Sequence, residues 1–323
     1  MRIDTHCHAY PQGYLDGIKQ AGIPDWDNVR GAVIPVWTSL EDRLAEMDAL
    51  GVDVSVLSLS SPGVYFDDDD VNLALARVMN DFLVEMHGRS QARLYGFASI
   101  PLANNEMAVE ELRRVVGRPG VVGAILPTSM RGKPIDSPEF WPFLEEADRQ
   151  NLTVFVHPEG PKWMKNVGEF RIHTMINYPL ETTITAYRIV FRGVLDRFPN
   201  ISWVLSHLGG AIPYIYNRAD WVARRFPDEC PVNISQAPSE YFKRFYYDTA
   251  LNYRRGPIYC ALDLIGADHL VFGTDTPWAI GEPPKTVECL ESIGLPKGVK
   301  EKILSKNAAK LLGIPVSRRA RAR

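Results

Sequence analysis

Leu152-Thr153-Val154-Phe155-Val156-His157 is a run of β-favouring residues that ends abruptly on an imidazole. A run apolar at nearly every position suits a strand buried on both faces, as in a parallel sheet covered by helices on either side. Seven further runs read the same way: Arg2–Thr5, Val52–Leu59, Leu94–Ile100, Val122–Leu126, Ile201–Ser206, Tyr246–Thr249 and His269–Gly273. With Leu152–Val156 they make eight.

Helical stretches fill the intervals. Ser39–Leu50 opens with Ser39 and Asp42 at capping-box spacing and carries Leu40, Leu44, Met47 and Leu50 as an apolar stripe. Gly51 is placed to stop it. Val71–His87, Glu106–Val116, Ser137–Asn151, Leu180–Phe198, Ala211–Arg225, Gly256–Leu264 and Pro284–Ile293 continue the alternation, and Val299–Leu312 closes it. Eight βα units predict the α/β class and a single (β/α)8 TIM barrel over residues 1–316. A doubly wound sheet would need a G-x-G-x-x-G turn after an early strand, and the sequence has none. Residues 9–38, punctuated by Pro and Gly, form an insertion after the first strand that is expected to fold over the barrel mouth. Residues 317–323 hold four arginines and are expected to form a frayed, solvated basic tail.

Composition narrows the classes. The 323 residues are 46% hydrophobic and 23% charged, with a net charge of −3, which offers no nucleic-acid-binding surface. No run of about 18 apolar residues is present to span a membrane. The polar stretch Asp4–His8 comes at once after the first residues, which argues against a signal peptide. Cys7, Cys230, Cys260 and Cys289 are scattered without C-x-x-C spacing, as expected of reduced thiols in a cytoplasmic protein.

In a barrel of this kind chemistry collects at the C-terminal ends of the strands. The first strand leads into His6-Cys7-His8, where side chains at i and i+2 share a face and two imidazoles form a natural pair of metal ligands. The fifth stops at His157, the sixth at His207 before Leu-Gly-Gly, and the eighth leads to Asp275. Four of the seven histidines and one carboxylate therefore stand at strand ends. Neutral imidazoles and a carboxylate suit Zn2+ and related divalent ions, and an incompletely filled shell marks a catalytic site. Asp275 could be a ligand, a proton carrier or both, and His207 could act in chemistry or simply bond the backbone. His87, His173 and His269 read as ordinary. The fourth strand ends Ile125-Leu126-Pro127-Thr128-Ser129, without a lysine or carboxylate to bridge a second ion. One metal is expected.

These residues together resemble the amidohydrolase superfamily, and in detail its branch typified by aminocarboxymuconate-semialdehyde decarboxylase and the aromatic-acid decarboxylases. The resemblance spans nearly the whole chain: T-H-C-H at residues 5–8, R-L-A-E-M-D-A-L-G-V-D at 43–53, V-H-P at 156–158, P-L-E-T at 179–182, S-H-L-G-G at 206–210, P-S-E-Y at 238–241 and G-T-D-T-P at 273–277. It implies that His6, His8, His157 and Asp275 are the metal ligands. It makes His207 the group that orients or deprotonates water at the ion, or that stabilises charge on the substrate. Arg43 matches an arginine that binds a substrate carboxylate. Arg218, eleven residues beyond His207, matches one that reaches a neighbouring subunit's site, which implies a homodimer or higher oligomer. The chain departs from the semialdehyde decarboxylase at Glu159-Gly160, where that enzyme has an aromatic residue after H-P, and at Thr276-Pro277-Trp278.

The leading expectation is non-oxidative decarboxylation of an aromatic or unsaturated acid, with Zn2+ first and Mn2+ second as the ion. Asp275 would protonate the carbon that loses CO2, with His207 assisting and Arg43 holding an oxyanion. Among the strand-end residues Tyr10, Tyr65, Phe66, Trp163, Tyr253 and Trp278, the two tryptophans are chosen as substrate walls, with Glu159 beside them. The rival is hydrolysis of an ester, lactone or amide, because the same ligands can activate water. The ligands alone do not separate the two; the branch resemblance and Arg43 favour decarboxylation. A non-catalytic metal-binding protein would have little use for open coordination positions.

Overall fold

The computed structural model describes residues 1–23, 34–159, 169–230, 234–278 and 282–316. The eight apolar runs form eight strands: β1 (Ile3–His8), β2 (Val54–Ser58), β3 (Leu94–Ser99), β4 (Val121–Pro127), β5 (Thr153–His157), β6 (Ser202–Leu205), β7 (Tyr246–Asp248) and β8 (Leu270–Val271). They lie in chain order, each parallel to the next. Backbone bonds from Thr5 N–H to Phe272 O (2.9 Å), Asp275 N–H to His6 O (2.7 Å) and His8 N–H to Thr276 O (2.7 Å) join β1 to the chain leaving β8. A (β/α)8 barrel results.

Alternation decides what fills it. Ile3, Val54, Val56, Phe97, Ile125, Phe155, Val204 and Val271 pack into one interior cluster, with Tyr246 against it. Ala308, Ala309 and Leu312 of the last helix, with Ile314 just beyond it, plug this core from below. The side chains between these, such as Val154, Val156 and Leu205, belong to a second core between the strands and the helices. Both faces of each strand are thus dry, which is why the runs carry so little polarity.

The helix signals hold at Leu40–Leu50: Asp42 N–H donates to Ser39 Oγ (3.1 Å), and Gly51 ends the helix at φ 64°. Three helical expectations need correction. The stretch read as Leu180–Phe198 is Tyr178–Phe191 and then Val194–Arg197, broken where Gly193 takes φ 74°. Ala211–Arg225 is Ile212–Ile215 and then Asn217–Arg225. Val299–Leu312 is interrupted by a π-turn at Lys302–Lys306. The described parts of the insertion contain two helices that the periodicity did not show, Gln12–Gln20 and Pro35–Thr38. Tyr14 of the first is buried and donates to Gly63 O (2.6 Å). Residues 24–33 and the tail 317–323 lie outside the described residues.

Gly210 carries the tightest contact behind the sixth strand. It stands at φ 66°, and a Cβ there would come within 1.9 Å of Pro179 O. Gly210→Ala is expected to cost about 2–5 kcal/mol, the sum of a left-handed L-residue and an overpacked contact. Urea denaturation of the variant against the wild type measures it.

Candidate metal centre

His6 and His8 reach the barrel interior only because the strand is irregular. Ile3 faces the barrel interior, so strict alternation would turn His6 outward. A register shift between Asp4 and Cys7 inserts one residue and re-aims the side chains beyond it. Asp4 anchors this bulge: it accepts from His6 N–H (3.1 Å), Thr274 N–H (3.1 Å) and Thr274 Oγ (2.5 Å). Burial pushes the Asp4 carboxyl up to about 7 against those bonds. Cys7 faces away from the histidines into the outer core, as its place between them requires.

The other strands deliver their groups more simply. Phe155 is interior, so His157 two residues on is interior as well. Val271, Gly273 and Asp275 share one parity, and Asp275 arrives at φ 64°. His207 is the exception. Val204 points inward, so His207 would point outward on a regular strand; the chain instead turns through φ 54° at His207 and 55° at Leu208. Left-handed backbone at non-glycine residues is costly and collects at functional sites.

The result is a convergence of side chains drawn from residues 6 to 275. One ligand atom each from His6, His8, His157 and Asp275 lie within 4.8 Å of one another, and all four residues are buried. His8 Nε2 is 3.1 Å from His6 Nε2 and 2.9 Å from Asp275 Oδ1; His6 Nε2 is 3.3 Å from the same oxygen. His207 Nε2 lies 3.6 Å from the other oxygen, Asp275 Oδ2.

Packing sets the electrostatics. Burial alone would lower His6, but the carboxylates of Asp248 and Asp275 outweigh it and raise the imidazole to about 10. Burial pushes Asp275 up, yet His6, His207 and His8 together hold it well below the usual carboxylate range. Burial first, then the neighbouring imidazoles, hold His157 well below the ordinary histidine value, so it is neutral with a lone pair to offer. Its Nδ1 is buried and no protein group bonds it. Three imidazoles and a carboxylate with such an orphaned nitrogen fit one divalent cation. No second cluster of this kind occurs among the described residues.

Three supporting residues were not singled out from the sequence. Ser58 Oγ lies 3.0 Å from His8 Nδ1, and Asp248 Oδ2 lies 2.7 Å from His6 Nδ1; each turns its partner's Nε2 toward the centre. Asp248 had a legible signal, a carboxylate at the end of the seventh apolar run. Glu181, within P-L-E-T, is buried and accepts from Glu159 N–H (3.2 Å) and Thr128 Oγ (3.2 Å), which fixes the turn after His157.

The remaining expected site residues are spread more widely. Arg43 is buried; Nη2 donates to His8 O, and Nη1 donates to Glu46 Oε2 (2.9 Å) and Thr276 Oγ1 (3.3 Å). Trp278 lies beside the centre, its ring 6.4 Å from that of His8 and 5.2 Å from Trp37. Tyr10 is fully buried in the same aromatic cluster and donates to Ser61 O (2.7 Å), so it backs the wall and does not form the rim. Glu159 is half-buried at the strand end, Arg218 is exposed on Asn217–Arg225, and Trp163 lies outside the described residues. His87 and His269 bond backbone carbonyls near the other ends of the strands, and His173 packs on Tyr178.

The sequence model of the amidohydrolase family matches residues 3–314. A 6-methylsalicylic acid decarboxylase of Aspergillus aculeatus is 30% identical over 333 residues, covering 100% of this chain and 98% of its own. The crystal structure of 5-carboxyvanillate decarboxylase from Sphingomonas paucimobilis superposes with a TM-score of 0.90 at 26% identity, over 97% of this chain and 99% of the other. A dihydroxybenzoic acid decarboxylase from Polaromonas, solved with manganese and the inhibitor 2-nitroresorcinol, gives 0.82 at 26% identity over 97% and 96%. On this match in sequence and in barrel, the chain belongs to the amidohydrolase family, among its decarboxylases.

Proposed function

We propose that the chain is a metal-dependent, non-oxidative decarboxylase of an aromatic or unsaturated carboxylic acid. The observation that carries this reading is the convergence of His6, His8, His157 and Asp275, with His207 beside the carboxylate, in a barrel of the decarboxylase type. A single divalent ion bound there supplies a Lewis acid for charge that develops on the substrate. The nitrogen-rich donors favour Zn2+, and Mn2+, carried by the Polaromonas enzyme, is the alternative.

The carbon that loses CO2 must accept a proton, at the cost of conjugation. Asp275 is the proposed carrier, and His207, at 3.6 Å, balances or resupplies its charge. Arg43 ties the end of β1 to the chain beyond β8 and brings a buried positive charge beside the site for an oxyanion. Trp278, with Trp163 and Glu159, would wall a flat substrate.

We also read the chain as a homodimer. Arg218 sits on a stretch whose Tyr214 and Trp221 are 83% and 76% exposed, large rings that a partner subunit could cover. A partner covering this face could receive Arg218 in its own site. The described helices include none long and apolar enough to cross a membrane, and all four cysteines are free, in keeping with a reducing cytoplasm.

Hydroxybenzoates and carboxymuconate-like acids, screened for CO2 release beside esters and lactones, test the reaction. Release from the acids, lost on chelation, is expected. Turnover confined to the esters and lactones would reverse the reading to hydrolysis. Sedimentation should show a dimer, and a fully active monomer would remove the role given to Arg218.

A further inference from the structure

The carboxylate that ends β7 takes no part in the chemistry above, yet it is wholly buried and both its oxygens are engaged. Asp248 Oδ2 meets His6 Nδ1 at 2.7 Å. Oδ1 accepts from His207 N–H (3.0 Å) and from Ala250 N–H (2.9 Å). One side chain therefore touches a metal ligand with one oxygen and the peptide of the proton-handling histidine with the other.

Each contact answers a specific need. For Nε2 of His6 to offer a lone pair toward His8 and Asp275, the ring proton must sit on Nδ1, and a carboxylate oxygen at 2.7 Å is the acceptor that keeps it there. His207 leaves β6 in left-handed backbone, so its peptide has no place in the β-ladder, and its buried N–H needs another fixed acceptor. Asp248 Oδ1 is that acceptor. Both contacts meet in one residue.

We propose that Asp248 is a positioning residue that couples metal binding at His6 to the placement of His207. This rests on the metal-site reading above. Asp248→Asn separates the two halves. The asparagine oxygen can still accept from the His207 and Ala250 amides, while its NH2 faces His6 Nδ1 and drives the ring proton to Nε2. Asp248→Ala removes both contacts.

Titrating the chelated full-length chains with Zn2+ and with Mn2+ by calorimetry reads the first half. Asp248→Asn should bind about 10–100-fold more weakly than the wild type. At saturating metal its kcat, on the acid turned over best in the panel, should fall less than that of Asp248→Ala, because the His207 amide keeps its acceptor. Asp248→Ala should show the weaker binding and also a kcat about 10–100-fold lower at saturation. Should the alanine chain not fold, Asp248→Ser, too short to span both contacts, takes its place. An asparagine variant that binds the ions as tightly as the wild type overturns the role at His6. An alanine or serine variant with wild-type kcat at saturation overturns the coupling to His207. Wild-type chain that binds neither ion sinks the metal reading and this one with it. Wild-type chain that binds the ion but releases no CO2 counts against the reaction alone, since the affinity arm does not depend on turnover.

Discussion

His157→Ala is expected to abolish stoichiometric metal binding. The side chain is buried, its ring centroid lies 5.1 Å from that of His6 and 4.9 Å from that of His8, and it is held neutral by burial and by those neighbours. No protein atom bonds its Nδ1. Replacing it removes one of the four donors, and Phe155 and the apolar interior directly beneath offer none in its place. Affinity should fall by about 100-fold or more, beyond what loss of a supporting contact costs. Elemental analysis after desalting should find about one divalent ion per wild-type chain and almost none in the variant. Thermal unfolding gives an independent reading: at 100 times Kd of free ion the wild type should gain about 2.7 kcal/mol, and the variant should gain nothing. Metal retained at the wild-type level would take His157 out of the ligand set.

His207→Ala should behave in the opposite way. Its imidazole stands outside the four-donor group, beside the outer oxygen of Asp275, and its Nδ1 is buried without a partner. A group so placed can balance the charge of Asp275, the proposed proton carrier, while leaving the four-donor group intact. Metal content should therefore be unchanged while kcat falls about 10²–10⁴-fold, the range of a lost acid–base group. Loss of metal would make His207 a ligand. Unchanged turnover would reduce it to a residue that merely bonds its backbone. Measured side by side, the two variants separate holding the ion from using it.

Much of this was legible in one dimension. Strands buried on both faces have to be apolar along their length, so Leu152–Val156 and its seven counterparts announce themselves, and groups placed where such strands end stand out against them. That is why His6, His8, His157, His207 and Asp275 could be named together. Ser39 and Gly51 were readable for a related reason: a helix end leaves backbone groups that only nearby residues can satisfy. Asp248 had its place at a strand end as a signal but was overlooked, because a lone carboxylate carries no spacing and its partners lie 242 and 41 residues before it. The break at Gly193 and the two helices of the insertion were equally hidden, since short or interrupted helices do not sustain a period.

By itself, the order of residues determined the alternation of strand and helix, the eightfold count, and which polar side chains the strand ends would present. Those are local properties, set by periodicity and by what each residue type can bury. The tertiary structure decided which way the side chains point. A one-residue irregularity in β1 turns His6 inward, a left-handed turn swings His207 back from the side that alternation assigns it, and a buried arginine clasps the first strand to the chain beyond the last. Each depends on contacts between residues far apart in the chain, which become neighbours only once the barrel has closed.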